Sequence, residues 1–332
     1  IQEREVPHLR TCVGPGKVNE IKNVAASCGA GLIVYDHDLT PSQEHNLEQE
    51  IGRKILDRTA LILDIFAQHA HSKEGKLQVE LAQHLYRLPR LKGKGTELSR
   101  LGGGIGTRGP GETKLETDRR RIRQKIRHLQ KQLSHVKQVR ATQRKKRNKE
   151  GIFSISIVGY TNAGKSTLLN TLTHANVLVE DMLFATLDST TRRLVLPGHQ
   201  RAVISDTVGF IKKLPHQLVA SFRSTLDEVG ETSLILHIID ASHPLMDKQI
   251  ETVEDTLKEI GVENKPVLSV FNKIDRLSKT EEERLRRRFS DGVFVSALKR
   301  REIDKLLLEI DKLRSFFATK EKEEGERINI RL

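Results

Sequence analysis

Nine consecutive residues, Gly159-Tyr160-Thr161-Asn162-Ala163-Gly164-Lys165-Ser166-Thr167, have the spacing of a loop that grips phosphate. Gly159 and Gly164 let the backbone turn its N–H groups inward around an anion. A helix that begins as the loop ends aims its positive N-terminal end at the same charge. Lys165 supplies an ammonium for the β and γ phosphates, and Ser166 is placed to give its hydroxyl to Mg²⁺.

Four further segments follow in an order that completes a guanine-nucleotide switch. Phe184-Ala185-Thr186-Leu187-Asp188 reads as a loop in which the Thr186 hydroxyl reaches the metal only when a γ-phosphate draws it in. In Asp206-Thr207-Val208-Gly209, Asp206 can hold the metal through water, and the Gly209 N–H can bond the γ-phosphate. In Asn272-Lys273-Ile274-Asp275, the Asp275 carboxylate accepts from both the ring N–H and the exocyclic amine of guanine, a pair that adenine does not offer. Ser296-Ala297-Leu298 brings backbone N–H groups to the guanine carbonyl. Lys165, Thr186 and Gly209 are thus the groups expected to act on the transferred phosphoryl, with Ser166 and Thr186 on the metal. Phe210 stands where many such sites carry a water-positioning glutamine, so unaided turnover is expected to be slow. For Asn162 two readings stay open: a ligand that helps hold K⁺ beside the phosphates, or a residue that tolerates the loop's backbone angles.

These pieces need strands that end at them. Ile152–Val158, Ala202–Ser205 and Pro266–Phe271 are apolar, β-branched stretches leading into the motifs, and Leu168–Leu172 continues the phosphate loop as a helix. The expected fold is therefore α/β, with a parallel-dominated sheet flanked by helices over residues 151–318 and a tail at 319–332. Residues 1–58 read as a small α/β unit, with a strand at Gly31–Tyr35, a helix at Pro41–Ile51 and a strand at Lys54–Leu56. Gly14-Pro15-Gly16-Lys17 is better read as a turn before a helix than as a second phosphate site, because no Ser or Thr follows the lysine. Residues 59–150 read as an antiparallel helical hairpin. Leu77, Leu81, Leu85 and Leu88 mark one arm, which Pro89 should break. The other arm should start after Thr113, capped with Glu116, and carry Ile122, Ile126, Leu129, Leu133 and Val136 as a seam.

The net charge of +13 is local. Residues 87–150 hold 21 Lys and Arg against 5 Asp and Glu, whereas residues 1–86 hold 9 against 12 and residues 151–332 hold 27 against 27. Such a block points to a polyanion surface at that place. The glycine-rich stretch between the arms carries Lys92, Lys94, Arg100 and Arg108, and the second arm carries Arg119, Arg120, Arg123 and Arg127. A flexible connector would explain the glycines alone. A loop that orders against RNA explains the length and the charge as well. Aromatic residues are scarce, which favours phosphate and shape readout over base stacking. No apolar run is long enough to span a membrane. Cys12 and Cys28 have no metal-ligand company and read as core residues in a reducing cytoplasm. The chain opens on Ile1 rather than Met, as an N-terminally incomplete sequence would.

The stretches Arg58–Ala70, Glu74–Gln83 and Gly102–Arg120, with the FATLD and DTVGF motifs, resemble the HflX family of translation-associated GTPases over nearly the whole chain. The resemblance implies GTP/GDP and Mg²⁺ as ligands, nucleotide contacts at all the motif residues named above, and a protein that acts as a cytoplasmic monomer. It also implies that the large ribosomal subunit and its rRNA are partners and that stalled or idle ribosomes are split. Two other readings compete: a regulatory GTP-binding module for a protein partner, which has no need of the basic block, and an RNA-unwinding NTPase, which needs an adenine-nucleotide site not evident in residues 1–150. Compared with the family, the first strand of the N-terminal part is missing, little follows Leu313, and Arg300 stands where a glycine is common.

Overall fold

A computed structural model describes residues 7–91, 110–149, 151–173, 191–206, 209, 229–262 and 264–329. These divide into two compact units, one ending at Val136 and the next beginning at Lys137.

In the first unit, α1 (Pro15–Ser27), β1 (Leu32–Tyr35), α2 (Pro41–Ile51), β2 (Lys54–Asp57), α3 (Arg58–His69), α4 (Lys73–Arg90) and most of α5 (Pro110–Lys149), whose residues from Lys137 on belong to the second unit, follow in order. The two strands pair in parallel, with Ile33 opposite Ile55. Val18, Tyr35, Leu47, Ile51 and Ile55 close a small core beneath them. A capping box between Thr40 and Gln43 starts α2, and Gly52, in the left-handed region at φ 74°, ends it.

Asp57 holds this unit together. Fully buried, it caps α3 through the Ala60 N–H at 2.8 Å and accepts from the Leu39 N–H at 3.2 Å, the Tyr86 hydroxyl at 2.9 Å and Arg90 at 2.9 Å. Arg90 also donates to Glu44 at 2.7 Å and lies 3.5 Å from the Tyr86 ring centre. Burial is the main cause that raises the Tyr86 phenol above its ordinary range, and the Asp57 charge adds to it.

The helical stretch from Thr59 differs from expectation in three ways. It is two helices, because Ser72 caps a new start by accepting from the Gly75 N–H at 2.9 Å. Pro89 lies inside α4, one residue before its end, and does not stop it. The second arm begins at Pro110, so Thr113 falls within the helix and is not its cap; a proline suits the first turn because its missing N–H would be unpaired there in any case.

The expected seam forms. Leu77, Leu81, Leu85 and Leu88 pack with Ile122, Ile126, Leu129 and Leu133, without Val136. Ile122 shares a cleft of about 590 Å³ with Arg87 and Leu91, and Lys125 pairs with Glu80 at 3.0 Å, so the arms run antiparallel. Cys12 is half-buried against the small core, but Cys28 is exposed at the end of α1 and is not the core residue that was expected.

The second unit is built on β3 (Phe153–Gly159), α6 (Lys165–Thr173), β4 (Thr191–Val195), β5 (Arg201–Asp206), β6 (Leu234–Asp240), α7 (Met246–Glu259), β7 (Val267–Asn272), α8 (Lys279–Arg288), β8 (Val293–Phe294) and α9 (Ile303–Asn329). Its sheet has the order β4-β5-β3-β6-β7-β8, parallel except for β4 at one edge. All seven residues of β6 are buried, as a central strand covered on both faces requires. One face packs Ile155, Ile157, Leu236 and Ile238 against Leu168 and Leu172 of α6 and Leu306 and Ile310 of α9. The other packs Val158 and Ile235 against Val253 and Leu257 of α7. Because β3, β5, β6 and β7 are parallel, their carboxyl ends all open on one edge of the sheet, where ligands of such folds bind. Among the described residues, no helix is long and apolar enough to cross a membrane.

Candidate nucleotide-binding site

The phosphate loop runs from the end of β3 to the start of α6, and its glycines are fixed by contact. A Cβ on Gly159 would lie 2.3 Å from the Ile238 carbonyl oxygen, and one on Gly164, at φ 92°, would lie 2.3 Å from Asn272 Nδ2. Asn162 sits in the left-handed region at φ 62°, which asparagine tolerates well.

Lys165 opens α6, nearly enclosed, with Nζ donating to the Tyr160 carbonyl at 2.9 Å. Burial pushes its pKa down to about 8; the Asp206 charge opposes that fall and the Lys273 charge adds to it. Beside it, the Ser166 hydroxyl donates to Asp206 Oδ2 at 2.9 Å, joining the loop to the end of β5. A hydroxyl and a carboxylate side by side form an oxygen donor set of the kind hard cations take. Gly209 follows closely, since a Cβ there would lie 2.9 Å from Lys165 Nζ and 2.9 Å from Thr161 Cγ2.

At the end of β7, Asn272 donates to the Ala163 carbonyl at 2.9 Å and accepts from the Ala297 N–H at 3.0 Å, tying the loop after β3 to the loop at residues 296–298. Lys273 donates to the Asn162 carbonyl at 2.6 Å and pairs with Asp240 at 2.7 Å. Burial alone would raise the Asp240 carboxyl, but hydrogen bonds from Lys273 and Ser242 and the lysine's charge outweigh it and hold the group below its ordinary range. The Ile274 N–H reaches the Val295 carbonyl at 3.3 Å, and the buried Ser296 hydroxyl donates to Asp275 Oδ1. That bond aims one carboxylate oxygen. The Ala297 carbonyl accepts from Thr171 Oγ1 at 3.0 Å, and Leu298 is exposed. Arg300 has φ 55°, the physical reason a glycine is at home at that position.

The structure thus brings together Gly159 to Thr167, Asp206, Gly209, Asn272 to Asp275 and Ser296 to Leu298. Phe184, Ala185, Thr186, Leu187, Asp188, Thr207, Val208 and Phe210 lie outside the described residues. So do Lys92, Lys94, Arg100 and Arg108. On α5, Arg120, Arg123 and Arg127 are exposed and Arg119 is half-buried. Among the described residues, none of the four pairs with a carboxylate, whereas their neighbours Arg121 and Lys125 pair with Asp118 at 3.9 Å and Glu80 at 3.0 Å. Asp240 was not legible as a site residue, because its role depends on meeting Lys273 across two strands.

The sheet and the convergence of these loops define a P-loop GTPase. Family models agree: residues 1–67 match the GTP-binding GTPase N-terminal model, residues 69–147 the GTP-binding GTPase middle region, and residues 154–273 the 50S ribosome-binding GTPase. GTPase HflX of Caldanaerobacter subterraneus subsp. tengcongensis is 52% identical over 300 residues, covering 90% of this chain and 69% of that one. GTPase HflX of Escherichia coli is 49% identical over 278 residues, 84% of this chain and 65% of that one. A GTP-binding protein from Sulfolobus solfataricus, solved with GDP, superposes with a TM-score of 0.52 at 28% identity, covering 95% of this chain and 89% of that one. The chain belongs to the HflX family of GTPases, and it spans about two thirds of the length of these curated relatives.

Proposed function

We propose that this GTPase binds the large ribosomal subunit through its basic helical hairpin and splits or rescues stalled or idle ribosomes, using GTP binding and hydrolysis to time engagement and release. The observation that carries the proposal is the positive charge of α5, whose Arg119, Arg120, Arg123 and Arg127 have no carboxylate partners among the described residues. Four arginines left without carboxylate partners within nine residues suit a phosphate surface rather than the helix's own stability. The 50S ribosome-binding description of the matching family model supports the same partner.

At the site, backbone N–H groups of Gly159 to Gly164 surround the phosphates, and Lys165 balances charge on them. Ser166 and Thr186 would hold Mg²⁺ directly and Asp206 through water, and the bound ion would neutralise charge building on the transferred phosphoryl. Gly209 offers its N–H to the γ-phosphate. Phe210 has no group that orients water, so turnover is slow alone and stimulated on the ribosome. K⁺ beside Asn162 is one route to that stimulation, and equal rates in K⁺ and Na⁺ would reject it. The chain acts as a monomer in the cytoplasm, with residues 1–58, 59–150 and 151–318 as its working parts; the stretch 319–332, expected as a tail, continues α9 as far as Asn329.

The test is co-sedimentation with purified large subunits. Binding should require a GTP analogue and weaken as salt rises, and neutralising Arg119, Arg120 and Arg123 should weaken it and flatten the salt dependence. Removing residues 102–111 should spare intrinsic hydrolysis but sharply reduce ribosome-stimulated turnover and subunit dissociation. Splitting at the wild-type rate by the shortened protein would make that stretch a plain connector.

A further inference from the structure

One carboxylate of α8 is buried, and it faces the back of the guanine-contacting loop. Glu282 is 8% exposed, and its Oε1 accepts from Arg286 Nε at 3.1 Å, Arg286 Nη2 at 2.8 Å and Arg301 Nη2 at 3.0 Å. Arg286 donates again to Glu302 Oε1 at 2.8 Å, with its guanidinium carbon 4.8 Å from the Phe294 ring centre. Two glutamates and two arginines thus form a network, to which Lys305 adds a bond to Glu302 Oε2 at 3.1 Å, and Arg301 and Glu302 are the residues at which the guanine loop rejoins the body.

That loop is held in a shape it would not keep alone. Ser296 and Arg301 exchange two backbone hydrogen bonds of 3.1 Å each, which pinch residues 296–301 shut. Arg300 and Glu302 both stand in the left-handed region, at φ 55° and 60°, where side chains with a Cβ are strained and persist only under outside restraint. The front of the same loop sets the base site, since the Ser296 hydroxyl aims Asp275 and the Ala297 N–H binds Asn272. We propose that Glu282 is a positioning residue for guanine recognition. It touches no nucleotide. By anchoring Arg301 directly and Glu302 through Arg286, it keeps the strained loop closed, so that Asp275 stays aligned with the two guanine donors and bound nucleotide is retained.

The proposal rests on the reading of Asp275 as the guanine-binding carboxylate, and the test separates the two. Release of fluorescent GDP would be followed by stopped flow, and affinities for GDP and IDP compared, since inosine lacks the exocyclic amine that Asp275 reads. Glu282→Gln keeps the volume and removes the charge. It should speed GDP release about tenfold and reduce discrimination between GDP and IDP several-fold, because a misaligned Asp275 loses the amine contact first. Arg301→Gln, altering a half-exposed partner, should do the same in milder form, and the double variant should be little worse than Glu282→Gln alone. Arg288→Gln, at the end of α8, which removes its exposed pair with Asp247 of α7, should leave both readouts unchanged. Wild-type release and full discrimination in Glu282→Gln would overturn the proposal, and the same result in Arg301→Gln would overturn it if Glu282→Gln does not fold. Failure of the wild type itself to prefer GDP over IDP would overturn the guanine reading beneath it.

Discussion

Nucleotide binding should draw a proton onto Lys165 at alkaline pH. Removed from water, this ammonium has its pKa pushed from 10.5 down to about 8. A diphosphate or triphosphate seated on the loop brings several negative charges to Nζ and restores its affinity for the proton. A group with a pKa near 8 is about one quarter charged at pH 8.5, so binding there should take up roughly three quarters of a proton, against about one tenth at pH 7. Affinity should then fall by up to about tenfold per pH unit above 8. The free protein should respond in the opposite sense. Because the folded pKa lies below the unfolded one, the cost of burying the charge is present in full below pH 8 and fades as pH rises towards the ordinary lysine value. The full effect is on the order of 3 kcal/mol. Isothermal titration with GDP in two buffers of different ionisation enthalpy, at pH 7 and pH 8.5, counts the protons. Urea denaturation of wild type and Lys165→Met across the same range isolates the stability effect. Proton uptake that stays near zero at pH 8.5, with parallel stability profiles, would refute the reasoning.

Asp275→Asn should shift preference from guanine to xanthine nucleotides, since the amide replaces one acceptor oxygen of the carboxylate with an NH2 donor; affinities for GTP and XTP measure it, and unchanged GTP binding would remove Asp275 from the base pocket. Gly164→Ala should lower GDP affinity by about a hundredfold or more, because its Cβ would meet Asn272 Nδ2 at 2.3 Å and force apart the phosphate and guanine loops; a direct binding titration checks it. Asp57→Asn, which replaces an acceptor of four hydrogen bonds with a group that also carries donors, should destabilise the first unit by about 3–5 kcal/mol in urea denaturation, and Tyr86→Phe by about 1–2 kcal/mol.

What the sequence determined by itself is the chemistry that short spacing carries. The phosphate loop, the NKID stretch and the strands leading to them are legible because a nine-residue loop, a strand end and a helix start constrain one another within a few bonds. The leucine and isoleucine seam of the hairpin is legible for the same reason, as the helical period repeats locally. Tertiary structure decided whatever depends on partners far apart in the chain. Asp240 and Lys273 meet only because β6 and β7 are neighbours in the sheet. Arg90 closes on Asp57 and Glu44 from the far end of α4. Glu282 is one of several glutamates in a charged helix until folding turns it towards Arg301 and buries it. The start of α5 shows where local signals run out: Thr113 and Glu116 have the spacing of a capping box, but the same spacing fits a helix interior once Pro110 opens the helix a turn earlier. A buried charge is stable only where its partners converge, and sequence separation says nothing about which surfaces the fold will bring together.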